Sequence, residues 1–197
     1  MELGPPGEFL ISGGMPRREP PPAEIRLAHT SELDSDTLRA ARALLDDVFK
    51  DMTDHDWEHA LGGMHALVLE AGELVGHGAV IQRRLLHRGR ALRTGYVEAV
   101  AVRADRRARG YGAALMDPLE RVIRGAYEIG ALGASEMGVG FYAARGWQQW
   151  HGKTWGLTPA GVVRTEQEDE DIFVMEVSVS LDFGGDLTCD WRDGDLW

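Results

Sequence analysis

The segment that most constrains the fold runs from Val100 to Leu115, where an apolar, strand-like run leads through a basic loop into a helical pattern. Gly110 and Gly112 lie in this loop, and Arg107 is one of the arginines beside them. Glycine lets a backbone approach a ligand closely, and the first turn of a helix carries unpaired N–H groups and a positive dipole end. A strand, a basic glycine loop and a helix in this order predict a phosphate-binding turn.

The loop differs from the two best-known nucleotide-binding loops. It has neither the G-x-x-x-x-G-K-[ST] pattern of Walker loops nor the G-x-G-x-x-G pattern of dinucleotide-binding folds. The alternative interpretation is a solvated, arginine-rich loop that merely precedes a helix. The chain has a formal net charge of −11, so the concentration of Arg106, Arg107 and Arg109 at one place is unusual and favours the phosphate site.

Hydrophobic patterning around the loop predicts an α+β fold with a mixed, mostly antiparallel sheet flanked by helices. The predicted strands are 25–27, 65–70, 74–81, 91–102, 131–132 and 172–181, with 65–102 forming a meander. The predicted helices follow cap residues at 34–36 and at Thr53, and then cover 115–126 and 139–145. Pro118 lies inside one of them and predicts a kink or a local 3₁₀ turn.

Composition limits the compartment and the partners. Residues 1–22 are rich in proline and glycine and predict a disordered segment, so the domain is expected to cover 23–197. A single cysteine and the lack of a signal peptide or a membrane-spanning run predict a cytoplasmic protein. The acidic balance argues against nucleic-acid and membrane partners and weakly favours a cationic one, although solubility alone accounts for many acidic proteins. The histidines show no metal-ligand spacing, so no metal site is expected.

Several motifs resemble a known family. Arg107-x-x-Gly110-x-Gly112 resembles the acetyl-CoA signature of the GNAT N-acetyltransferases, and the aromatic pair with a following Gly-Trp in 141–147 is similar to their second motif. The aminoglycoside 2'-N-acetyltransferases of mycobacteria are similar over a wider span, at 56–59, 61–67, 95–98, 145–147 and 189–197. The resemblance implies transfer of an acetyl group from acetyl-CoA to the 2'-amine of an aminoglycoside, by direct attack in a ternary complex, and hence antibiotic resistance.

The resemblance also implies where acetyl-CoA binds. The strand before the loop is expected to carry a bulge whose main-chain amides hold the acetyl carbonyl and the pantetheine arm, with the pyrophosphate on the loop. The residues expected to contact acetyl-CoA are Val100, Ala101, Val102, Arg107, Ala108, Arg109, Gly110, Tyr111 and Gly112.

Two side chains are expected to act on the reacting groups. Glu98 is the expected base, acting through a water molecule, or an anchor for the acceptor's cation, or both. Tyr142 is the expected acid near the CoA sulfur, with a purely aromatic core role as the alternative. A thiol titrates near ~8.5 and a tyrosine near ~10, so a hydrogen bond that strengthens as the sulfur gains charge is expected rather than full proton transfer.

An aminoglycoside carries several ammonium groups, so several carboxylates must converge on it. The tail is expected to dock through Trp191, Leu196 and Trp197, which brings the α-carboxylate of Trp197 inward. Relatives carry serine at the position of Gly133 and aspartate at that of Glu168, which predicts an altered sugar-ring selectivity. The residues expected to contact the acceptor are Asp51, Asp56, Glu98, Ala99, Gly133, Gln167, Glu168, Asp169, Asp195 and Trp197.

Two other functions stay open at this stage. The first is acetylation of a different cationic amine, such as a polyamine or a cell-wall precursor. The second is a non-catalytic module that binds CoA or sequesters the drug, although such a module needs neither Glu98 nor Tyr142. Analogy with the family suggests a homodimer.

Overall fold

The computed structural model describes residues 23–197, and the predicted disordered segment 1–22 lies outside the described residues. The described residues form a 10-stranded mixed sheet with helices packed on it, which confirms the α+β class. The strands are β1 Glu24–His29, β2 Met64–Glu70, β3 Glu73–His87, β4 Arg90–Val102, β5 Ile129–Gly133, β6 Gln148–Gln149, β7 Thr154–Thr158, β8 Gly161–Arg164, β9 Ile172–Glu176 and β10 Leu187–Cys189. The α-helices are α1 Ser35–Val48, α2 Asp54–His59, α3 Tyr111–Ala126 and α4 Val139–Ala144. Short 3₁₀ turns cover Thr30–Glu32, Ala104–Arg106 and Glu166–Glu168.

The predicted antiparallel meander of β2, β3 and β4 is confirmed. Both of its turns contain a residue pair with positive φ, which is the geometry of the tight turns that match the twist of a hairpin. The φ values are 54° for Ala71 and 85° for Gly72 in the first turn, and 49° for Arg88 and 75° for Gly89 in the second. Glycine at the second position of each pair adopts this conformation without strain.

The strands β4 and β5 separate halfway along β4. Their parallel pairing ends at Tyr96 and Ala131, whereas β4 continues to Val102. On its other edge, β5 pairs with β9 in antiparallel fashion as far as Gly133. The diverging strands leave a cleft in the sheet, and the first turn of α3 lies at its rim.

Two apolar clusters hold the layers together. In the first, α3 packs on the sheet through buried residues that include Leu115 and Leu119. In the second, the centre of the sheet packs against the C-terminal tail through Tyr96, Trp150 and Trp197. Burial of large aliphatic and aromatic side chains of this kind contributes about 1.5–3 kcal/mol each. The second cluster therefore fixes the tail against β4, next to the cleft.

Helix α3 differs from its prediction in two respects. It begins before residue 115 and continues through Pro118 with no 3₁₀ turn. Proline removes one backbone hydrogen bond, but Pro118 is buried, as are its neighbours on the apolar face, and this packing offsets the loss. No helix within residues 23–197 is long and apolar enough to cross a bilayer.

The last predicted strand extends too far toward the C-terminus. Strand β9 ends at Glu176, whereas the prediction extended it to residue 181. Beyond this point the backbone N–H groups of Val177 and Ser178 both donate to the carbonyl of Glu128 instead of continuing the ladder. The short strands β6, β7, β8 and β10 were not predicted, because two to five residues carry too little periodicity to detect.

Candidate active site

The bulge expected in β4 is present where this strand leaves β5. His77 pairs with Ala101 and Ala79 pairs with Glu98, so the register shifts by one residue between them. Within the shift, Ala99 has a φ of 53°. A bulge disrupts the ladder locally, and the buried ring of His77 supplies a hydrogen bond from Nδ1 to the carbonyl oxygen of Ala99 at 2.9 Å. The side chain thereby supports the backbone of the bulge.

A chain of hydrogen bonds runs from the bulge through two buried histidines to the 3₁₀ turn that follows β1. The distance between His77 Nε2 and His65 Nδ1 is 2.9 Å, and His65 Nε2 lies 2.7 Å from Thr30 Oγ1. A carbonyl only accepts, so His77 carries its proton on Nδ1, and His65 then donates from its own Nδ1. Burial lowers the pKa of both histidines to about 4. Both rings are neutral at pH 7, as this hydrogen-bonded chain requires.

The cleft between β4 and β5 has a volume of about 690 Å³. Tyr142 of α4 and Gly133 of β5 lie in its wall, together with Glu98 of β4. Arg109 is the one expected acetyl-CoA residue that does not line it. The others that line it are Val100, Ala101, Val102, Arg107, Ala108, Gly110, Tyr111 and Gly112.

The loop ahead of α3 is shaped to receive an anion. Gly110 caps the helix with a φ of 83°, in the left-handed region that glycine adopts without strain. Ala108 also has a positive φ, of 59°. The first turn of α3 carries no acidic side chain, so its free N–H groups and positive dipole end remain available.

Glu70 of β2 organises the basic side chains of the loop. Its carboxylate accepts hydrogen bonds from Arg106, from Arg109 at 3.5 Å, and from the hydroxyl of Tyr111 at 3.0 Å. Arg107 donates a hydrogen bond of 3.3 Å from Nε to the main-chain carbonyl of Val102 at the end of β4. Within the described residues Arg107 forms no ion pair, so its charge is free for a phosphate, whereas Arg106 and, at the longer distance of 3.5 Å, Arg109 pair with the carboxylate of Glu70.

Tyr142 is held by aromatic neighbours on α4 and around it. Its ring centroid lies 5.1 Å from that of Phe141, 6.3 Å from that of Trp147 and 6.5 Å from that of Phe173. Burial raises the pKa of Tyr142 to about 12. The hydroxyl therefore keeps its proton at neutral pH and can donate a hydrogen bond into the cleft.

Glu120 of α3 fixes the chain that follows α4. Its carboxylate accepts hydrogen bonds from Arg145 Nε at 2.7 Å, Trp147 Nε1 at 3.0 Å and Arg124 at 3.2 Å. Arg145 also donates to Asp117 at 2.6 Å. These bonds tie the end of α4 to α3 and thereby set the position of the helix that carries Tyr142.

A second cavity, of about 470 Å³, adjoins the cleft, and the residues that line both are Val48, Phe49, Glu98, Ala99 and Trp197. The segment after α1, helix α2 and the C-terminal tail form its walls. The expected acceptor residues that line it are Asp51, Asp56, Glu98, Ala99, Asp195 and Trp197. Four carboxylates line the cavity against two cations, Lys50 and Arg192, so its charged lining is net acidic, and it meets the cleft at the bulge.

Glu98 is partly buried where the two cavities meet. Its side chain is 15% exposed, and its Oε1 accepts a hydrogen bond from Arg192 of the tail. Burial raises the pKa of Glu98, and the charge of Arg192 opposes this effect. A carboxylate with a raised pKa is a better proton acceptor than an exposed one, as long as it stays ionised.

The tail docks largely as predicted. Trp197 is buried, and the carbonyl of Leu196 accepts a hydrogen bond from Arg83 at 2.7 Å. The prediction was wrong for Trp191, which is 47% exposed. Asp190 points inward to Arg83, and consecutive side chains of an extended chain point to opposite sides, so Trp191 points outward.

Three of the expected acceptor residues, Gln167, Glu168 and Asp169, line neither cavity, and Gly133 lines the cleft rather than the second cavity. Glu168 is electrostatically coupled to Asp195. Burial, followed by repulsion from Asp195, raises the pKa of Glu168 to about 7. An approaching cation would favour its ionised form.

Asp169 is committed to the local structure. It binds Arg164, and it accepts hydrogen bonds from both the backbone N–H and the hydroxyl of Thr154, at 3.0 and 2.9 Å. The bond from Arg164, together with those from Thr154, lowers the pKa of Asp169 to about 2. This carboxylate holds β7 and β8 together and is ionised at all working pH values.

Sequence reasoning missed Glu70 and Arg192, and it predicted a structural role for His77 without linking that residue to the site. Glu70 and His77 carry no local signal, because an acidic residue at a strand end and a histidine within a strand are both ordinary. Arg192 did have a signal, since it is the one basic residue in the run 189–197. A lone cation in an acidic and apolar tail suggests a buried partner.

Comparison with known proteins identifies what the chain resembles. The Acetyltransferase (GNAT) domain family matches residues 29–150. The chain is 54% identical over 177 residues to the Aminoglycoside 2'-N-acetyltransferase of Mycolicibacterium fortuitum, and the match covers 87% of this chain and 91% of that protein.

Solved structures share the fold at low sequence identity. The GNAT family N-acetyltransferase YhbS from Escherichia coli, crystallised in complex with CoA, has a TM-score of 0.60 and 14% identity over 87% of this chain and 90% of its own. The GCN5-related N-acetyltransferase from Kribbella flavida has a TM-score of 0.54 and 21% identity over 66% of this chain. That protein is longer, and the match spans 34% of its length. These likenesses support the fold alone.

Proposed function

Because the chain belongs to the GNAT family of acetyltransferases, we propose that it transfers the acetyl group of acetyl-CoA to the 2'-amine of aminoglycoside antibiotics. The observation that carries the proposal is the meeting of two cavities at Glu98 and Ala99. One has the form of a nucleotide cleft, and the other is an acidic chamber suited to a polycation. The 54% identity to the enzyme of Mycolicibacterium fortuitum supports the same acceptor.

Acetyl-CoA fits the residues of the cleft. The free N–H groups at the start of α3, the backbone at Gly110 and the guanidinium of Arg107 suit the pyrophosphate. The residues from Val100 to Val102, along with Ala108, Tyr111 and Gly112, line the remaining path along β4 and α3. Acetyl-CoA supplies an activated thioester and a thiol leaving group. Arg109, held by Glu70, supports the loop.

Glu98 acts as the base in this proposal. Its carboxylate lies beside the bulge at the junction of the cavities, and it accepts the proton that the amine loses on acylation, directly or through a water molecule. The same charge attracts the ammonium group before reaction. Tyr142 donates a hydrogen bond from the cleft wall, which strengthens as the leaving sulfur gains negative charge.

The acidic chamber binds the remaining ammonium groups. Asp51, Asp56 and Asp195 line it, and Glu168, outside the lining, is close enough for its charge to interact with that of Asp195. Separate exposed ion contacts are each often worth under ~1 kcal/mol, so convergence of several carboxylates is what makes binding useful. Gly133, Gln167, Asp169 and Trp197 complete the proposed acceptor surface, with Asp169 acting through the loop that it holds.

The wider setting follows from the family. Residues 23–197 form the catalytic domain in this proposal, and acetyl-CoA and the drug place the reaction in the cytoplasm. A homodimer is proposed by family analogy. Acetylation of another cationic amine, such as a polyamine, is the second candidate, because an acidic chamber selects for charge before it selects for ring structure.

A thiol-release assay tests the proposal. It uses acetyl-CoA with a matched pair of aminoglycosides, one with a 2'-amine and one with a 2'-hydroxyl group. We expect thiol release with the amine alone. Release with a polyamine but with neither drug would favour the second candidate, and no release despite acetyl-CoA binding would favour a binding module.

A further inference from the structure

Arg192 in the C-terminal tail uses every nitrogen of its guanidinium group. Nη1 donates to Glu98 Oε1, Nε donates to the carbonyl of Asp195 at 2.7 Å, and Nη2 donates to the main-chain oxygen of Trp197 at 2.5 Å. The guanidinium carbon lies 5.6 Å from the centroid of the Tyr96 ring, within the range of a cation–π contact. With its side chain 13% exposed, an arginine held at four points is fixed in place.

Glu98 needs a cation beside it to act as a base. A buried carboxyl group favours its protonated form, which cannot accept a proton, and an adjacent positive charge restores the carboxylate. Burial raises the pKa of Glu98, and Arg192 is the largest influence that lowers it. Arg192 binds Oε1 of Glu98, which leaves Oε2 for the acceptor or a water molecule.

The other cation that lowers the pKa of Glu98 is Arg83, which acts at a distance and forms no ion pair with it. Arg83 of β3 is committed to Asp190, to the main-chain oxygen of that residue and to that of Leu196. Within residues 23–197, Arg192 is the cation in direct contact with Glu98. The remaining titratable groups around the site are Lys50 and Asp51 after α1, Asp56 and His59 of α2, Tyr96 of β4 and Asp195 of the tail.

We propose that Arg192 is a positioning residue that joins the carboxylate of Glu98 to the C-terminal tail and keeps Glu98 ionised for its role as the base. The inference rests on the proposed acetyl transfer for the meaning of that role. Glu98 and Arg192 are 94 residues apart in sequence, so their contact forms only when the tail docks. The docked tail therefore supplies the cation beside Glu98, and the same tail forms one wall of the acidic chamber.

The experiment compares the full-length wild type with Arg192→Met, Arg192→Lys and Glu98→Gln. Arg84→Met is the matched control, because Arg84 is an exposed arginine on β3 whose backbone N–H, not its side chain, binds Asp190. Calorimetric binding of acetyl-CoA and thermal unfolding establish that each variant is folded. The pH dependence of kcat/KM for thiol release is then measured, together with hydrogen exchange of residues 190–197.

We expect Arg192→Met to shift the acid limb of the pH profile upward by about one to three pH units, since removal of an adjacent charge has an effect of that size. At pH 7 its kcat/KM should fall about tenfold or more, mainly in kcat, while acetyl-CoA binding is kept. The tail should exchange faster. Arg84→Met should match the wild type in every measurement.

Arg192→Lys separates the two proposed roles of Arg192, which are to place a positive charge beside Glu98 and to hold the tail. Lysine keeps the charge but has a single nitrogen, so it can hold Glu98 or the tail oxygens but not all of them. We expect the acid limb to return toward the wild-type position while the tail still exchanges faster. The lysine variant also serves if Arg192→Met fails to fold.

An acid limb and a tail exchange rate that both stay at wild-type values in Arg192→Met and Arg192→Lys would overturn the proposal. If the wild type releases no thiol with any aminoglycoside, the proposed function fails, and the role of Arg192 is then tested without an activity assay. In that case the carboxyl carbon of Glu98, assigned with Glu98→Gln, is titrated by ¹³C NMR. An upward shift of the pKa of Glu98 in Arg192→Met supports the proposed role of Arg192, and an unchanged pKa overturns it.

Discussion

At the scale of single residues, Glu98 and Tyr142 show how one physical effect prepares two different groups. Burial raises the pKa of each. For the carboxylate this means a greater affinity for a proton, and for the phenol it means a proton that stays in place. One side chain is therefore suited to accept a proton and the other to donate a hydrogen bond, in adjoining parts of one site.

The first prediction concerns these two side chains. Glu98→Gln and Tyr142→Phe should each keep the Kd for acetyl-CoA and slow turnover by about 10²–10⁴-fold, the usual range for general acid–base groups. Steady-state thiol release and calorimetry measure the two quantities. Tyr127→Phe is the control, because Tyr127 is a partly buried tyrosine outside both cavities. Turnover at the wild-type rate in both variants would contradict the assignments.

At the scale of secondary-structure elements, side-chain bonds between neighbouring elements set the geometry of the site. The chain Thr30–His65–His77 crosses from the 3₁₀ turn after β1 to the bulge in β4, and it depends on two neutral rings. Protonation of either ring gives it a second N–H donor where it must accept. The bulge is therefore sensitive to acid.

The second prediction is a loss of stability in acid that originates in this pair. The folded pKa values of His65 and His77, about 4, lie below the unfolded value of about 6.5. The unfolded chain binds more protons between these values, so this contribution is complete above pH 6.5 and is lost as the pH falls toward 4. The loss is up to about 3 kcal/mol per histidine.

Urea unfolding at pH 7, 6, 5 and 4.5 measures this effect. A His65→Gln/His77→Gln double variant serves as the control, because any acid dependence that it retains comes from other groups. A wild type and a double variant with the same slope of unfolding free energy against pH would rule out the histidine pair as the cause.

The third prediction concerns the bonds between α3 and α4. Glu120→Gln should lower the free energy of unfolding by about 2 kcal/mol or more, because Arg145 and Trp147 lose a charged partner in a buried place. Turnover should also fall, since α4 carries Tyr142. Asp117→Asn is the matched control: it binds the same Arg145 but is 60% exposed, so a change below about 1 kcal/mol is expected.

Denaturant titration and thiol release measure both variants. Equal destabilisation by Glu120→Gln and Asp117→Asn would show that the buried position of Glu120 has no special part in holding α4. A stable Glu120→Gln variant with normal turnover would show that α4 is fixed by its aromatic packing alone.

At the scale of the whole molecule, the distribution of charge matches the two proposed substrates. The chain carries a formal net charge of −11, yet Arg107 and the start of α3 present positive potential to the cleft. The acidic residues of the second cavity present negative potential to a polycation. Such opposed potentials in adjoining cavities steer an anionic and a cationic ligand to different sides of one reaction centre.

The fourth prediction is a dependence of acceptor binding on ionic strength. The KM for the aminoglycoside should rise as NaCl is increased from about 0.05 to 0.5 M, because added salt screens the attraction of the acidic cavity for a polycation. The kcat should change little. Steady-state kinetics in salt, with a sucrose series as the control for solvent effects, measure it, and a KM that is flat in salt would contradict the role assigned to the acidic cavity.

The sequence by itself determined the α+β class, the meander, the strand–loop–helix unit that is proposed to bind phosphate, and the family, and the fold together with the comparisons confirms the class and the family. These features lie in contiguous stretches. Periodicity, turn glycines and a basic loop before a helix act over a few residues, so they can be read from the order of amino acids alone. The residues expected to contact the acceptor, the first of which is Asp51 and the last Trp197, came from the resemblance, and their role stays a prediction.

The tertiary structure alone decided which charges are free and which are engaged. Glu70 engages Arg106 and Arg109 but not Arg107, and Arg192 reaches Glu98 across 94 residues of sequence. His77 supports the bulge across a strand pair, 22 residues from Ala99. Such contacts depend on how strands and tail pack together, and hydrogen bonds and burial, rather than residue type, decide the charge that each group presents to a ligand.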